Sequence, residues 1–252
     1  MLNEEALRRA LDVAGLDAPV RWFDVVGSTN REAVELARAG APAWTLVGAA
    51  HQTAGRGRAG RAWLDRPGGG VMVSVVLRPS LDPERIGLVS LAAGAAMAGA
   101  AAAVAHRAVR CKWPNDLLAD GAKVGGILAE ADVDGGMTRH VVVGVGVNLV
   151  PPAEVPGAGG LGEVDPEALL SAFLLRLRSL IDGDPGAALD AWRARSHTLG
   201  RIVEATTIDG TIVRGVAVDV DDGGGLLVDG GDGPVRVASG DVDHLRPADG
   251  ER

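Results

Sequence analysis

Residues 51–63, HQTAGRGRAGRAW, set Arg56, Arg58 and Arg61 among Gly55, Gly57 and Gly60. Glycine lets a backbone come close to a ligand, and arginine offers a planar fork of donors that suits phosphate or carboxylate. Residue types and spacing therefore point to an anionic ligand. The same letters fit the dinucleotide fingerprint GxGxxG over 55–60. That motif, however, opens a helix after a strand and has an acid about twenty residues further on. Here the loop runs instead into Trp63, Pro67 and Gly68. A P-loop fails as well, because Arg61 and Ala62 stand where Lys and Ser/Thr belong. On these residues alone a mobile, solvated surface loop stays open as an alternative. Lysine is scarce: of 25 basic residues only Lys112 and Lys123 are lysine. Arginine is the default cation, so the two lysines point to a place where a compact charge that can sit beside phosphate or shift its pKa is required, with chance usage as the alternative.

The elements that must position these groups follow from periodicity and turn signals. A helix is expected over 4–13, a strand over 22–26 and a helix from Ser28 and Thr29 to about Arg38, with Thr29 and Glu32 as a capping box. That helix start also offers hydroxyls and free N–H groups to a polar ligand. Strands at 45–50 and 71–77 flank the glycine–arginine loop. Asp82, Pro83 and Glu84 start a helix that runs to about His106, read as a structural residue at the helix end. A strand at 109–113 stops at Pro114 in KWPNDLL, and a turn follows. KVGGILAE (123–130) and HVVVGVGVNL (140–149) read as paired strands with turns at Gly121 and Gly135. Gly125, Gly126, Gly144 and Gly146 weaken them unless something comes close to the backbone, and a flat ligand against the sheet would account for them. Helices are expected over 165–181, with Arg176 and Arg178 on a solvated face, and over 185–195. From Arg201 onward RIVEAT, TIVRGVAVDV, GLLVDG and PVRVAS are short strands of a small antiparallel barrel. The acidic stretches 221–225 and 229–233 between them are hairpin turns, since they lack calcium-loop spacing. A boundary near 196–200 divides the chain into units 1–195 and 196–252.

Composition narrows the function. The net charge of −8 and pI near 5.1 argue against a general polyanion binder. With two Phe and no Tyr there is little aromatic surface for stacking single-stranded nucleic acid. Cys111 is the only cysteine, which excludes an intrachain disulfide and a cysteine zinc cluster and makes it a buried, reduced small hydrophobe. The uncharged stretch 88–105 is mostly Ala and Gly and reads as a core helix rather than a membrane span. The opening residues MLNEEALRRAL lack the pattern of a secretory signal, so a cytoplasmic location is expected.

Four stretches then stand together: GSTN (27–30), HQTAGRGRAGRAW (51–63), KWPNDLL with KVGGILAE (112–130) and GVGVNL (144–149). In this order and spacing they resemble the biotin protein ligases, from about Trp22 to the C-terminus. The resemblance implies an α+β fold, with a mixed central sheet flanked by helices of class II synthetase type and a small C-terminal SH3-like barrel. It implies ATP and biotin as substrates, with Mg²⁺ held mainly through phosphates. The product would be biotinoyl-5′-AMP, and its acyl group would pass to a lysine of a biotin carboxyl carrier domain of a carboxylase.

Carried over by position, the resemblance implies that Ser28, Thr29, Asn30, Gln52 and Arg56 hold biotin's ring, with Gly55, Gly57, Gly125 and Gly126 lining its pocket. Lys123 meets the biotin carboxylate and the phosphoryl group. Arg58, Arg61, Trp63, Asn115 and Asn148 serve the nucleotide and adenylate, with Trp63 and Asn148 at adenine. Arg58, Lys112, Lys123 and Asp116 are the expected catalytic residues, Asp116 as acceptor of the incoming lysine's proton; a local Lys112–Asp116 ion pair is the plainer alternative. The loop is expected to act as a lid, without fixed conformation when empty. Ala62 departs from family members that place a cation or bulky polar residue there. Only about twenty residues precede Trp22, too few for a winged helix-turn-helix, so no DNA binding and no membrane partner are expected. A monomer or a ligand-dependent homodimer fits. A lipoate ligase or octanoyltransferase is the nearest enzyme alternative, and an RNA- or anion-binding module a more distant one.

Overall fold

The computed structural model describes residues 1–207, 210–238 and 240–244. Ser239, at the end of PVRVAS, and residues 245–252 of the expected C-terminal unit lie outside the described residues. In chain order the elements are α1 (Glu4–Val13), β1 (Val20–Val26), α2 (Thr29–Arg38), β2 (Leu46–Gln52), β3 (Gly70–Leu77), α3 (Ile86–Val104), β4 (Val109–Lys112), β5 (Asp116–Ala119), β6 (Ala122–Asp134), β7 (Met137–Asn148), α4 (Pro166–Ile181) and α5 (Pro185–Arg193). The second group is β8 (Ile202–Thr207), β9 (Ile212–Val220), β10 (Leu226–Asp229), β11 (Pro234–Val237) and β12 (Gly240–His244).

The first seven strands form one mixed sheet in the order β1-β2-β3-β7-β6-β5-β4. Only the β1–β2 pair is parallel. Strand side chains alternate between faces, and the sequence uses that alternation unequally. Val71, Val73, Val75 and Leu77 of β3, with Val141, Val143, Val145 and Val147 of β7, join the main core under α1, α3, α4 and α5. The other face carries Val76 and Val142, which pack with Ala33 and Ala37 of α2. Further along that face the register sets Ser74 beside Gly144 and Met72 beside Gly146. Those glycines in turn lie beside Leu128 and Gly126. Helix α2 covers one end of this face, and the glycine rows beyond it form the floor of the site.

Helix α3 is apolar on every side, as a fully enclosed helix must be. It packs on α4, α5 and the sheet, so the one helix among the described residues that is long and apolar enough to cross a membrane is mostly buried inside the fold. It is shorter than expected. Residues 83–85 form a separate 3-10 turn, the Asp82 side chain makes no capping bond, and His106 lies beyond the helix with φ +50°. Cys111 is buried as expected, and burial pushes its thiol up to about 12. Arg178, expected on a solvated face, is partly exposed and also has a structural role: it donates to the carbonyls of Ala14 (2.7 Å) and Gly15 (2.8 Å), closing the C-terminal end of α1. Strand β5 also departs from the turn expected after Pro114. Burial of Leu117 and Ala119 makes the alternation of a strand, one too short to register as a pattern in sequence.

The C-terminal strands form a five-stranded antiparallel sheet in the order β11-β10-β9-β8-β12. The acidic stretches 221–225 and 229–233 are its turns. No β11–β12 pairing closes it into a barrel among the described residues. The segment before it is tied to β4: Cys111 N donates to Arg195 O, His197 N to Cys111 O and Trp113 N to the buried Thr198 Oγ1.

Candidate active site

The site is assembled where the α2 start, the glycine–arginine loop and the β5–β6–β7 glycine rows meet. Ser28, Thr29 and Asn30 are all buried, at 1–4% exposure, although each is polar. Buried polar groups must find partners, and Thr29 and Asn30 find theirs outside the helix. Ser28 is the N-cap and its side chain makes no capping bond; Thr29 is the first helical residue. The expected Thr29–Glu32 capping box is thus not formed. Instead Thr29 gives its N–H to Gln52 Oε1 (2.8 Å), with its hydroxyl oxygen 3.1 Å from the same atom, and Asn30 Nδ2 donates to Glu130 Oε2 at 2.8 Å. The helix start is committed to shaping a cavity.

The loop is a folded hairpin. Gly57 N donates to Arg61 O (2.7 Å), and Trp63 N to Gly55 O (2.9 Å). Residues 58–60 turn at its tip, where Ala59 and Gly60 take positive φ. Its base is pinned by Asp65, whose side chain is fully buried. One oxygen lies 3.0 Å from His51 Nδ1 and the other accepts from Gln52 N. No sequence signal distinguishes Asp65 from a loop acid. Each arginine of the hairpin already holds an acceptor: Arg56 pairs with Glu130 at 2.7 Å and Arg61 with Asp241 at 2.8 Å, while Arg58 donates to Gly240 O. Burial draws the Arg58 guanidinium below its ordinary value, opposed by the Asp241 charge. In this structure the loop expected to act as a lid is a hairpin docked on the C-terminal sheet.

Two cavities adjoin across the hairpin's end. One, of about 130 Å³, is lined by residues that include Ser28, Thr29, Asn30, Gln52, Arg56 and Gly126. The other, of about 410 Å³, is lined by Asn148, Leu64, Val155 and Pro156 among others. Ala62, Trp63 and Lys123 line both. Lys123 Nζ stands 5.9 Å from the Trp63 ring centroid, a cation–π approach, and 2.6 Å from Asp116 Oδ1. The ion pair of Asp116 is therefore with Lys123, not Lys112. Lys112 faces Asp116 only as its register partner across β4 and β5, outside the lining of either cavity. Asn115 lines the first cavity and is fixed by Nδ2 to Ile127 O (3.0 Å); Asn148 is held by Nδ2 to Gly159 O.

The glycine rows serve a different purpose from the flat ligand expected of them. A Cβ on Gly144 would lie 2.1 Å from Asn30 Oδ1, and one on Gly146 2.6 Å from the Trp63 indole. These protein side chains occupy the close approach. Gly55 and Gly125 stand behind the lining: their absent Cβ atoms make room for Trp63 O and Gly146 O. Gly57, Arg58 and Arg61 complete the wall of the first cavity. Two residues behind that lining, bonded to Asn30 and Thr29, went unassigned from sequence. Glu130 ends KVGGILAE, and Ser74 is a lone hydroxyl in the apolar run of β3, a pattern that could have marked it.

Comparisons with known proteins agree with this geometry. Residues 22–148 match the biotin/lipoate A/B protein ligase family, and residues 198–245 match the biotin protein ligase C-terminal domain. The biotin--[acetyl-CoA-carboxylase] ligase of Mycobacterium tuberculosis is 39% identical, over 97% of this chain and 96% of its own length. The enzyme of that name from Paracoccus denitrificans is 36% identical, over 85% of this chain and 96% of its own. In fold the chain is similar to the biotin protein ligase of Aquifex aeolicus solved with biotin and ATP, with TM-score 0.73 and 23% identity over 90% of this chain and 99% of that one. The family matches, the full-length likeness and the site on the glycine rows converge: the chain belongs to the biotin/lipoate A/B protein ligase family, among its biotin protein ligases.

Proposed function

We propose that this chain activates biotin with ATP to biotinoyl-5′-AMP and transfers the biotinyl group to a lysine of a biotin carboxyl carrier domain. The observation that carries this reading is the pair of adjoining cavities that share Trp63 and Lys123. One offers hydroxyl and amide groups from Ser28, Thr29, Asn30 and Gln52 that suit a neutral polar ring, and guanidinium groups from Arg58 and Arg61 that suit phosphate. The other is apolar with one amide, Asn148, and suits a flat base. Lys123 stands between them, where a carboxylate and an α-phosphate would meet.

A carboxylate and a phosphate repel, so their reaction needs positioned positive charge and alignment rather than a nucleophile from the protein. In the first step a biotin carboxylate oxygen attacks the α-phosphorus, the bond to the β-phosphate oxygen breaks and pyrophosphate leaves. In the second the acceptor amine attacks the acyl carbon, the bond to the phosphate oxygen breaks and AMP leaves. No covalent enzyme intermediate is required. In this assignment Ser28, Thr29, Asn30, Gln52 and Arg56 hold the ring, with Gly126 on the floor, and Lys123 draws carboxylate and phosphate together. Arg58 and Arg61 stabilise phosphate charge, and Trp63, Asn115 and Asn148 position the nucleotide. Asp116 takes the proton of the acceptor amine.

Among the described residues no group of three or more His, Cys, Asp or Glu could hold a metal ion. Mg²⁺ needs only one or two carboxylates when substrate phosphates supply other oxygens. The ion would be held mainly through the substrate phosphates and would neutralise charge on the departing pyrophosphate. We assign catalysis to residues 1–195 and read 196–252 as a separate domain that holds the hairpin through Gly240 and Asp241. The test is to incubate the protein with ATP, Mg²⁺, a carrier domain and labelled biotin or labelled lipoate. Biotin on the carrier supports the assignment; label from lipoate alone overturns it.

A further inference from the structure

A hydrogen-bonded ladder crosses the floor of the first cavity, and its two anchors, Ser74 and Glu130, have no role in the assignment above. Ser74 is fully buried; its Oγ lies 2.6 Å from Asn30 Oδ1 and 2.9 Å from Thr29 Oγ1. At the other end a single carboxylate holds two groups. Asn30 Nδ2 donates to Glu130 Oε2 at 2.8 Å, and Arg56 bonds both Glu130 oxygens, at 3.2 and 2.7 Å. A second bond from Asn30 Nδ2 reaches Leu128 O.

Counting protons gives this ladder a direction. An ionised carboxylate only accepts, so Asn30 must turn its NH₂ to Glu130 and its oxygen to Ser74. That oxygen also only accepts, so it takes the one proton of Ser74. The Ser74–Thr29 contact must then use the proton of Thr29. Gln52 Oε1 is engaged by the Thr29 N–H at 2.8 Å, and Gln52 Nε2 has no partner among the described residues, which leaves it as a donor to the cavity. Arg56, with its charge balanced by Glu130, makes this end of the site electrically neutral while keeping its remaining N–H groups directed. Every polar group here has its sense set from Glu130. Glutamine at that position could offer NH₂ where the network needs an acceptor, and alanine at 74 would leave Asn30 Oδ1 without its donor.

We propose that Glu130 and Ser74 are positioning residues for the acid substrate: they fix the donor and acceptor pattern that the cavity presents to an uncharged cyclic urea and leave the nucleotide side untouched. This rests on the assignment of biotin to the first cavity. The experiment uses the full chain and first measures acid-dependent ATP–pyrophosphate exchange by the wild type with biotin and with lipoate. Failure with biotin overturns that assignment, and this proposal with it. Given exchange with biotin, E130Q and S74A should each raise the KM for biotin about tenfold or more, a factor appropriate to losing one charge-assisted or buried hydrogen bond. The KM for ATP should stay within twofold, a split that general loosening of the fold would not give. A biotin KM within twofold of wild type in both variants, or an ATP KM that rises in step, overturns the proposal while the biotin assignment stands. Should E130Q fail to fold, S74A decides by the same criteria.

Discussion

The Asp116 carboxylate lies 2.6 Å from the Lys123 ammonium, so the two groups assigned to opposite halves of the reaction neutralise one another across the β5–β6 pair. Substrate carboxylate and phosphate arriving at Lys123 would compete with Asp116 and free it to accept a proton in the transfer step. D116N should then slow transfer to the carrier about a hundredfold, in the range found for a lost general base, and slow adenylate formation less. K123Q should slow adenylate formation about a hundredfold or more. Single-turnover measurement of pyrophosphate release and of carrier labelling separates the two. Equal loss of both steps in D116N would contradict the division of roles.

Asp241 binds Arg61 between two half-exposed side chains, at 58% and 56%. Such a pair contributes little to global stability, about 1 kcal/mol or less, yet it helps to dock the hairpin on the C-terminal sheet. D241N should leave the thermal midpoint within a few degrees of wild type. Hydrogen exchange at the amides of Gly57 and Trp63, which close the hairpin, should be faster. Unchanged exchange there would show that the C-terminal sheet does not hold the hairpin.

Gly144 is tested by G144A. The added Cβ would meet Asn30 Oδ1 at 2.1 Å, and Asn30 is buried and bonded on every side, so it has little room to yield. Overpacking of this kind costs about 1–3 kcal/mol. A lower thermal midpoint together with weaker biotin binding is expected. Wild-type behaviour in both would mean that Asn30 can move without cost.

Most strands, and the pairing of β6 with β7, were legible because runs such as β3 and β7 are continuously apolar and turn residues separate them. The missed β5 is four residues long, which is too short for alternation to speak. The site motifs were legible because glycine and arginine at fixed spacing imply close approach and anions. Which groups meet was not. Lys123 rather than Lys112 pairs with Asp116 because a register shift near Leu117 and Leu118 decides which side chains face each other. The Thr29–Glu32 box lost to Gln52, which lies 23 residues away and offers Thr29 a buried acceptor. Asp65 and Ser74 act through contacts across the fold that no local pattern encodes.

Acid should destabilise the fold through two histidines. Burial lowers the value of His140, with Asp132 opposing; burial also lowers that of His197, reinforced by Arg201, Lys112 and Arg110. A base whose value is lowered on folding binds protons more readily when unfolded, so stability rises with pH across the interval between its folded value and about 6.5. The contribution is present above about pH 6.5 and is lost as pH falls below it. Denaturant midpoints measured from pH 7.5 to 5 should fall in the wild type and fall less steeply in H197Q. An identical slope in that variant would remove His197 from the account.

The central claim is that carboxylate and nucleotide meet at Lys123 between the two cavities. Its most direct measurement is mass spectrometry of the protein after mixing with biotin, ATP and Mg²⁺ in the absence of any carrier. The account predicts biotinoyl-5′-AMP bound to the wild-type chain, with pyrophosphate released, and none bound to K123Q. Unreacted ATP and biotin with the wild type, or an adenylate formed equally well by K123Q, would contradict it.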